Sequence, residues 1–350
     1  MSDPYYSDDL VTLYHGRAED VLPNLQTSGD THLITDPPYF KVKSEDWDNQ
    51  WDKSADFLEW LGGILDAAKP LLSANGSVWV FTSPQLNTAV ESVVASRFRV
   101  LNNVRWVKEQ GWHQKADLGQ ARRFLTPWEG IIFAEQFGAD GSALKGSGWN
   151  DATAKLWAGV FEPLRAYLVA ERDAAGVTNR QIDAHLGTAG MARHYFGASQ
   201  WTLPTANAFA AMSELVPFSR DYEDLRRDYE DLRRDYEDLR RTFEINKTRP
   251  STDLWNFGTV SPYPGKHPCE KPHDLLDHII TTTTRPGDTI IDCFAGSGST
   301  LQVARDLGRK SIGIEMDERW CERIATRLAQ HSLDFGNLED EVRASGWAHV

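Results

Sequence analysis

Two short stretches hold residue types that can do chemistry. The first is ITDPPYF, in which the apolar pair Leu33 and Ile34 leads into Asp36, Pro37, Pro38 and Tyr39. Prolines cannot continue a ladder of backbone hydrogen bonds, so they stop a short buried strand and leave a carboxylate and an aromatic ring at its end. A capping role for Asp36 at a neighbouring helix or turn is the plain alternative. The second is DCFAGSGST, Asp292 to Thr300, which sets small residues between a strand and a helix. Glycine there permits a sharp turn and close approach of a ligand. The stretch is not a GxxxxGK phosphate loop, because no lysine stands before Ser299 or Thr300 where that loop requires one. Glu315 closes the following apolar strand, where a carboxylate accepts hydrogen bonds from a ribose diol. The turn by itself fits a packing loop as well; turn and acid together point to a nucleoside-containing cofactor.

The elements that must position these residues alternate in type. Strands are predicted at Val11 to Gly16, up to Thr35, and at Ser77 to Phe81, with a short helix from Glu19 to Leu25 and an amphipathic helix from Ala55 to Leu71. Strands near Asn103 to Val107 and Gly130 to Ala134 continue the sheet. The stretch KEQGWHQKADLGQARRFLTPWE between them is a long polar loop beside the active face. The last quarter, RPGDTIIDCFAGSGSTLQVARDLGRKSIGIEMDERW, gives turn, strand, glycine-rich loop, helix from about Gly298 to Thr300 onward, strand and acidic end. A further helix follows Asp317, and HSLDFGNLEDEVRASGWAHV is a peripheral tail.

Composition bounds the class. The 350 residues can bury a large core and leave about 100 for an accessory domain. With 41% hydrophobic and 25% charged residues, and no apolar run near membrane-spanning length, the chain is of the soluble globular kind. The acidic start MSDPYYSDDL lacks the pattern of a secretory signal, so the cytoplasm is the expected location. Cys269, Cys293 and Cys321 have no paired spacing, which excludes a disulfide framework or a zinc cluster; no metal is expected. A net charge of −14 argues against indiscriminate nucleic-acid binding while leaving room for a local basic surface.

Beyond about residue 150 the rhythm becomes helical. FEPLRAYLVAERDAAGVTNRQIDAHLG contains a helix, a break at Gly176 and a second helix from Asn179 or Arg180; two more short helices follow, separated at Gly197 and Pro204. The pattern admits a helix-turn-helix DNA reader or an ordinary helical insertion. From Asp221 to Arg241 the unit DYEDLRR occurs three times in tandem. Tyr222, Tyr229 and Tyr236 alternate with Leu225, Leu232 and Leu239 in a heptad seam that Leu215, Phe218 and Phe243 extend, though Pro217 interrupts the early extension. A coiled coil with another subunit, a helical face within one subunit, and a charged helix lying across the catalytic domain all fit that seam. Each unit carries three acids and two arginines, so the repeat is no DNA-attracting patch.

Together, DPPY (Asp36 to Tyr39) and FAGSGST (Phe294 to Thr300) resemble the motif pair of the DNA amino-methyltransferases. HPCEKP, His267 to Pro272, resembles the family's HPxxKP segment, with a proline-limited interdomain loop as its alternative. The order, amine motif before cofactor motif, is that of the permuted beta group, and the likeness covers most of residues 11–140 and 262–330. It implies an α/β, permuted Rossmann-like methyltransferase fold, with a mostly parallel seven-stranded sheet and an inserted helical target-recognition region. Residues 1–150 and 251–350 then form a discontinuous catalytic domain, 151–214 the target-recognition domain and 215–250 a heptad-repeat arm. The strand at Val11 to His15 is expected beside the one carrying Glu315.

The resemblance also implies S-adenosyl-L-methionine as cofactor. Ala18, Asp36, His267, Lys271, Phe294, Gly296, Ser297, Gly298 and Thr300 then border its pocket, Asp292 supports the methionine part or the loop, and Glu315 holds the ribose. Arg17 stands where the family's GDA pattern has aspartate, so only backbone contacts carry over there. At the amine, Asp36 accepts an N–H, the Pro37 carbonyl accepts another, Pro38 shapes the turn and Tyr39 stacks on the base, aiming the nitrogen lone pair at an electrophilic methyl. Adenine N6 in double-stranded DNA is the expected acceptor, since DPPY is nearer to adenine enzymes than the SPPY common among cytosine N4 enzymes. Cytosine N4, RNA, and a non-catalytic DNA-binding regulator are the alternatives. A base in duplex DNA must be extruded to reach such a pocket. Lys115, Arg122 and Arg123 in the polar loop, and Arg180 and Arg193 in the insertion, are candidates for DNA contact. A second copy, through catalytic-domain surfaces or the heptad arm, is a candidate partner; a membrane is not.

Overall fold

Residues 3–42, 44–108, 122, 124–137, 149–198, 201–238, 242–245 and 250–330 are described in a computed structural model. Strands β1 (Tyr6–Ser7), β2 (Val11–His15), β3 (Thr31–Thr35), β4 (Ser77–Thr82), β5 (Arg99–Val107), β6 (Trp128–Glu135), β7 (Leu254–Asn256), β8 (Thr289–Asp292) and β9 (Lys310–Glu315) make one sheet. Their spatial order is β1-β2-β9-β8-β3-β4-β6-β5-β7. The helices are α1 (Ala18–Val21), α2 (Ser54–Ala68) and α3 (Asn87–Ala95), then α4 (Trp149–Ala174), α5 (Asn179–Leu186), α6 (Ala192–Phe196), α7 (Ala206–Met212) and α8 (Tyr222–Asp238), then α9 (His273–Thr283) and α10 (Ser299–Asp306). A further helix covers 318–330. No helix among the described residues is long and apolar enough to cross a membrane.

The expected seven-stranded, mostly parallel sheet is corrected to a mixed sheet with nine strands among the described residues. β2, β9, β8, β3 and β4 run parallel to one another and β7 runs parallel to β5, whereas β6 is antiparallel to both β4 and β5, and β1 is antiparallel to β2. The two additional strands sit at the sheet edges and are two and three residues long, too short to show an alternating pattern. β2 lies beside β9 as expected, with His15 opposite Glu315.

Alternation along the central strands divides the core between the two faces. On one face Leu33, Val78, Val80, Ile132 and Ala134 pack with Phe57, Leu61 and Leu65 of α2 and Val90 and Val94 of α3. On the other, Ile34, Trp79, Phe81, Ile131 and Phe133 pack with Leu275, Ile279 and Ile280 of α9 and Val303 of α10. β3, β4 and β8 are buried along their whole length, as strands covered by helices on both sides must be.

The chain divides into two compact units, residues 1–137 with 242–350, and residues 138–241. The sheet belongs to the first, and α4 to α8 form the second, around Phe161, Leu164, Leu168, Ile182, Tyr195, Trp201 and Met212. The repeat helix α8 contributes to that same core. Leu225 and Tyr236 are buried, Tyr229 lies 5.1 Å from the Phe161 ring, and Tyr236 lies 4.9 Å from the Trp157 ring. The tyrosine–leucine seam of the described repeats thus packs within the chain, while Arg226 pairs with Glu223 at 3.1 Å and with Glu230 at 3.8 Å on the outer side. Leu239 lies outside the described residues, and Phe243 stacks on Phe133 of β6 rather than joining the seam.

Candidate active site

The C-terminal ends of the parallel strands β2, β3, β8 and β9 open into a cleft of about 520 Å³. Ligands in open α/β sheets collect at this edge because the loops leaving it diverge. His15, Asp36, Asp292 and Glu315, each at or just beyond a strand end, all line it. So do Ala18, Pro37, Pro38, Tyr39, His267, Lys271, Phe294, Gly296, Ser297 and Thr300. Of the expected pocket residues, Gly298 alone is absent from the lining. It has φ 75° at the start of α10, and a Cβ there would stand 2.8 Å from Ile324 Cγ1, so it serves the turn and its packing.

The glycine loop is held by Glu315. The Gly296 N–H donates to Oε2 at 2.7 Å and the Asp317 N–H to Oε1 at 2.8 Å. A carboxylate oxygen can accept two hydrogen bonds, so Glu315 retains capacity for a hydroxyl of a ribose. Gly296 has φ 51°, and a Cβ on it would come within 3.1 Å of His267 Cε1; a side chain would fill the space between the loop and that ring. Asp292 accepts the Phe294 N–H at 3.1 Å. Burial raises its pKa to about 7, against the opposing hydrogen bonds from Phe294 and Thr300. These features fit S-adenosylmethionine: a diol acceptor, a close-approach glycine, and a carboxyl near neutrality for an ammonium group. Arg17 borders the cleft, donating to Glu19 Oε1 at 2.8 Å and Gln50 Oε1 at 3.2 Å.

A charged network builds the other end. Lys271, expected in the cofactor wall, donates to Asp36 Oδ2 and lies 3.8 Å from Glu129 Oε2. Glu129 also accepts the Tyr39 hydroxyl at 3.0 Å and pairs with Lys108. Burial pushes the Asp36 carboxyl above its usual range, with the Lys271 ammonium opposing. Burial also works against the ammonium of Lys271, but Asp36 and Glu129 outweigh it and raise its pKa. Glu129 is pushed up by burial yet ends below its ordinary value because Lys271 and Lys108 dominate. Asp36 Oδ1 is buried and has no hydrogen-bond partner among the described residues.

Sequence reasoning missed Glu129, Lys108 and Asp48. Glu129 had a signal: it shares a strand face with Ile131 and Phe133, and an acid in an apolar alternating row needs a partner. Among the proposed DNA contacts, Arg122 is exposed, and Arg180 and Arg193 are exposed on α5 and α6 of the second unit. Lys115 and Arg123 lie outside the described residues. α5 opens with a capping box at Thr178 and closes at left-handed Gly187, and the Ala192 N–H at the start of α6 donates to Asp183 at 2.9 Å, so an ordered turn joins the two helices.

Fold and site define a permuted α/β protein with a nucleoside cleft and a paired carboxylate at its inner end. The profile of the N6/N4 DNA methylase family matches residues 31–327, and the chain belongs to that family. It is 24% identical to the Type II methyltransferase M2.DpnII of Streptococcus pneumoniae over 94% of this chain and 93% of that one. Identity to the Type II methyltransferase M2.LlaDCHI of Lactococcus lactis subsp. cremoris is 23%, over 94% and 93%. The fold is also that of the PvuII DNA methyltransferase (cytosine-N4-specific), with a TM-score of 0.54 and 13% identity over 93% of this chain and 89% of the other.

Proposed function

We propose that the protein methylates the N6 amine of adenine at specific sites in duplex DNA, with S-adenosylmethionine as methyl donor. The observation that carries this reading is the divided carboxylate of Asp36, a residue that lines the cleft: Oδ2 is committed to Lys271, while Oδ1 is buried without a partner among the described residues. A buried acceptor left open is costly unless a donor arrives. An exocyclic amine supplies that donor.

S-adenosylmethionine, when bound, supplies an electrophilic methyl group. Glu315 would take the ribose hydroxyls, Gly296 would let the cofactor approach the loop, and Asp292 would hold the ammonium. Tyr39 stacks on the extruded base, its ring angle set by the hydroxyl bond to Glu129. Asp36 Oδ1 accepts one N–H and the Pro37 carbonyl another, which turns the nitrogen lone pair along the line of transfer. As the new carbon–nitrogen bond forms and the methyl–sulfur bond of the donor breaks, its electron pair leaving with sulfur as a neutral thioether, positive charge passes to the amine, where the Asp36 carboxylate stabilises it and takes the released proton. Lys271 holds that carboxylate ionised and in place until then.

DPPY favours adenine N6 over cytosine N4. The joined helices α5 and α6, with Arg180 and Arg193 exposed, support a target-reading role for the insertion. The relatives named as Type II methyltransferases support a modification role beside a restriction enzyme. The test is methylation of unmodified duplex DNA with labelled cofactor, followed by digestion to nucleosides. N6-methyladenine is expected; N4-methylcytosine would overturn the choice of base, and unlabelled DNA would overturn transfer itself. Asp36→Asn should slow single-turnover methylation by about 100- to 1,000-fold, as loss of an oxyanion-type contact does, with cofactor affinity retained.

A further inference from the structure

We infer that Asp48 is a positioning residue for the reacting amine, acting through the backbone of the turn that carries Tyr39; this rests on the methyl-transfer reading above. Asp48 is fully buried. Its Oδ1 accepts the Tyr39 N–H and its Oδ2 the Val42 N–H, each at 2.6 Å. Between those two amides stand Phe40 and Lys41, both at φ 59°. They are the only non-glycine residues with positive φ among the described residues, and an L-residue with a side chain resists that conformation. The carboxylate therefore spans the strained pair and bonds both of its flanks, while the Asp48 carbonyl accepts the Lys41 N–H at 2.8 Å.

Strain at a functional loop persists only where the surroundings over-determine it. Here it fixes the path of the chain immediately after Pro37 and Pro38. Tyr39 is consequently held at both ends, its N–H by Asp48 and its hydroxyl by Glu129 at 3.0 Å. The neighbouring residue extends the same device across the cleft. Trp47, in the short turn with Asp48, stacks near-parallel to His267, with ring centroids 6.3 Å apart, and His267 covers Gly296. One turn thus braces the base-stacking ring and, through the next residue, meets the cofactor side. Sequence alone hides this, because Asp48 is one of several acids in SEDWDNQWD and only the fold shows which of them is buried.

The test compares the full-length parent with Asp48→Asn, which keeps one acceptor oxygen, and Asp48→Ala, which keeps neither. Amide hydrogen exchange at Tyr39 and Val42 should accelerate in both variants, most in Asp48→Ala. Single-turnover methylation should fall about 100-fold in Asp48→Ala and less in Asp48→Asn, the scale set by a reacting group displaced by about 1 Å. Cofactor affinity by calorimetry should stay near the parent value in Asp48→Asn. Unchanged exchange at the two amides would overturn the inference, as would a loss of turnover matched by equal losses of cofactor affinity and melting temperature. Parent-like turnover in Asp48→Asn beside an active parent would strike the role of Asp48 alone; a parent that methylates no DNA would strike the reaction assigned above.

Discussion

A carboxyl with a pKa of about 7 inside the cleft makes Asp292 sensitive to the pH at which the protein works. Both of its forms are populated around neutral pH, whereas an ammonium-bearing ligand favours the ionised form. Cofactor binding near neutral pH should therefore release protons, measurable by calorimetry in buffers of different ionisation enthalpy. Affinity should weaken as pH falls below 7, and Asp292→Asn should flatten that dependence. The stability effect has the opposite sense. Folding raises this pKa, so the contribution favours the folded state most at low pH and is lost as pH rises through about 7. Asp292→Asn should accordingly gain more in melting temperature at pH 8 than at pH 5. Asp36, Asp292 and Glu315 were legible because each closes an apolar strand next to a turn. The partner of Asp48 and Glu129 was not, because their bonds to Tyr39 cross 9 and 90 residues of sequence and depend on the path of the chain between.

At the scale of elements, periodicity told strand from helix wherever a face is buried. The amphipathic helix expected to run to Leu71 ends at Ala68 because Pro70 tightens the last turn to a 3-10 helix. Heptad spacing in α8 located the apolar seam but could not say what it meets, since a seven-residue period is the same against a second copy or a neighbouring helix. The partners are Phe161 and Trp157 of α4. Deleting one DYEDLRR unit turns the seam by only about 20°, whereas deleting three residues turns it by about 60° and lifts Leu225- and Tyr236-type positions out of the core. The three-residue deletion should cost about 2–5 kcal/mol and lower the melting temperature, and the seven-residue deletion much less. Sedimentation should show the same association state for both; weaker association in the three-residue deletion alone would return the seam to a partner chain.

At the scale of the whole molecule, α4 to α8 form a core of their own, separate from the sheet that builds the cleft. Replacing residues 177–205 should change or abolish the methylated sequence, mapped by sequencing of modified DNA, while cofactor affinity remains within about threefold of the parent. Cofactor binding lost in a folded replacement would argue that the two units do not divide the work in this way.

The pairing of β2 with β9 sets a timetable for synthesis. His15 reaches Met316 across a sequence separation of 301 residues, and Glu315 is placed on the strand that β2 must wait for. At about 5–20 residues per second a ribosome needs roughly 15–60 seconds to cover that distance. During this interval Val11 and Leu13, both buried in the finished fold, have no β9 to lie against. The inserted helical core is complete in sequence well before β9 emerges. A nascent chain can therefore carry the whole insertion while Glu315 does not yet exist, so the DNA reading proposed for the insertion would precede the methyl transfer proposed for the cleft. Premature termination between the insertion and β9 would leave a product that carries the insertion but lacks Glu315.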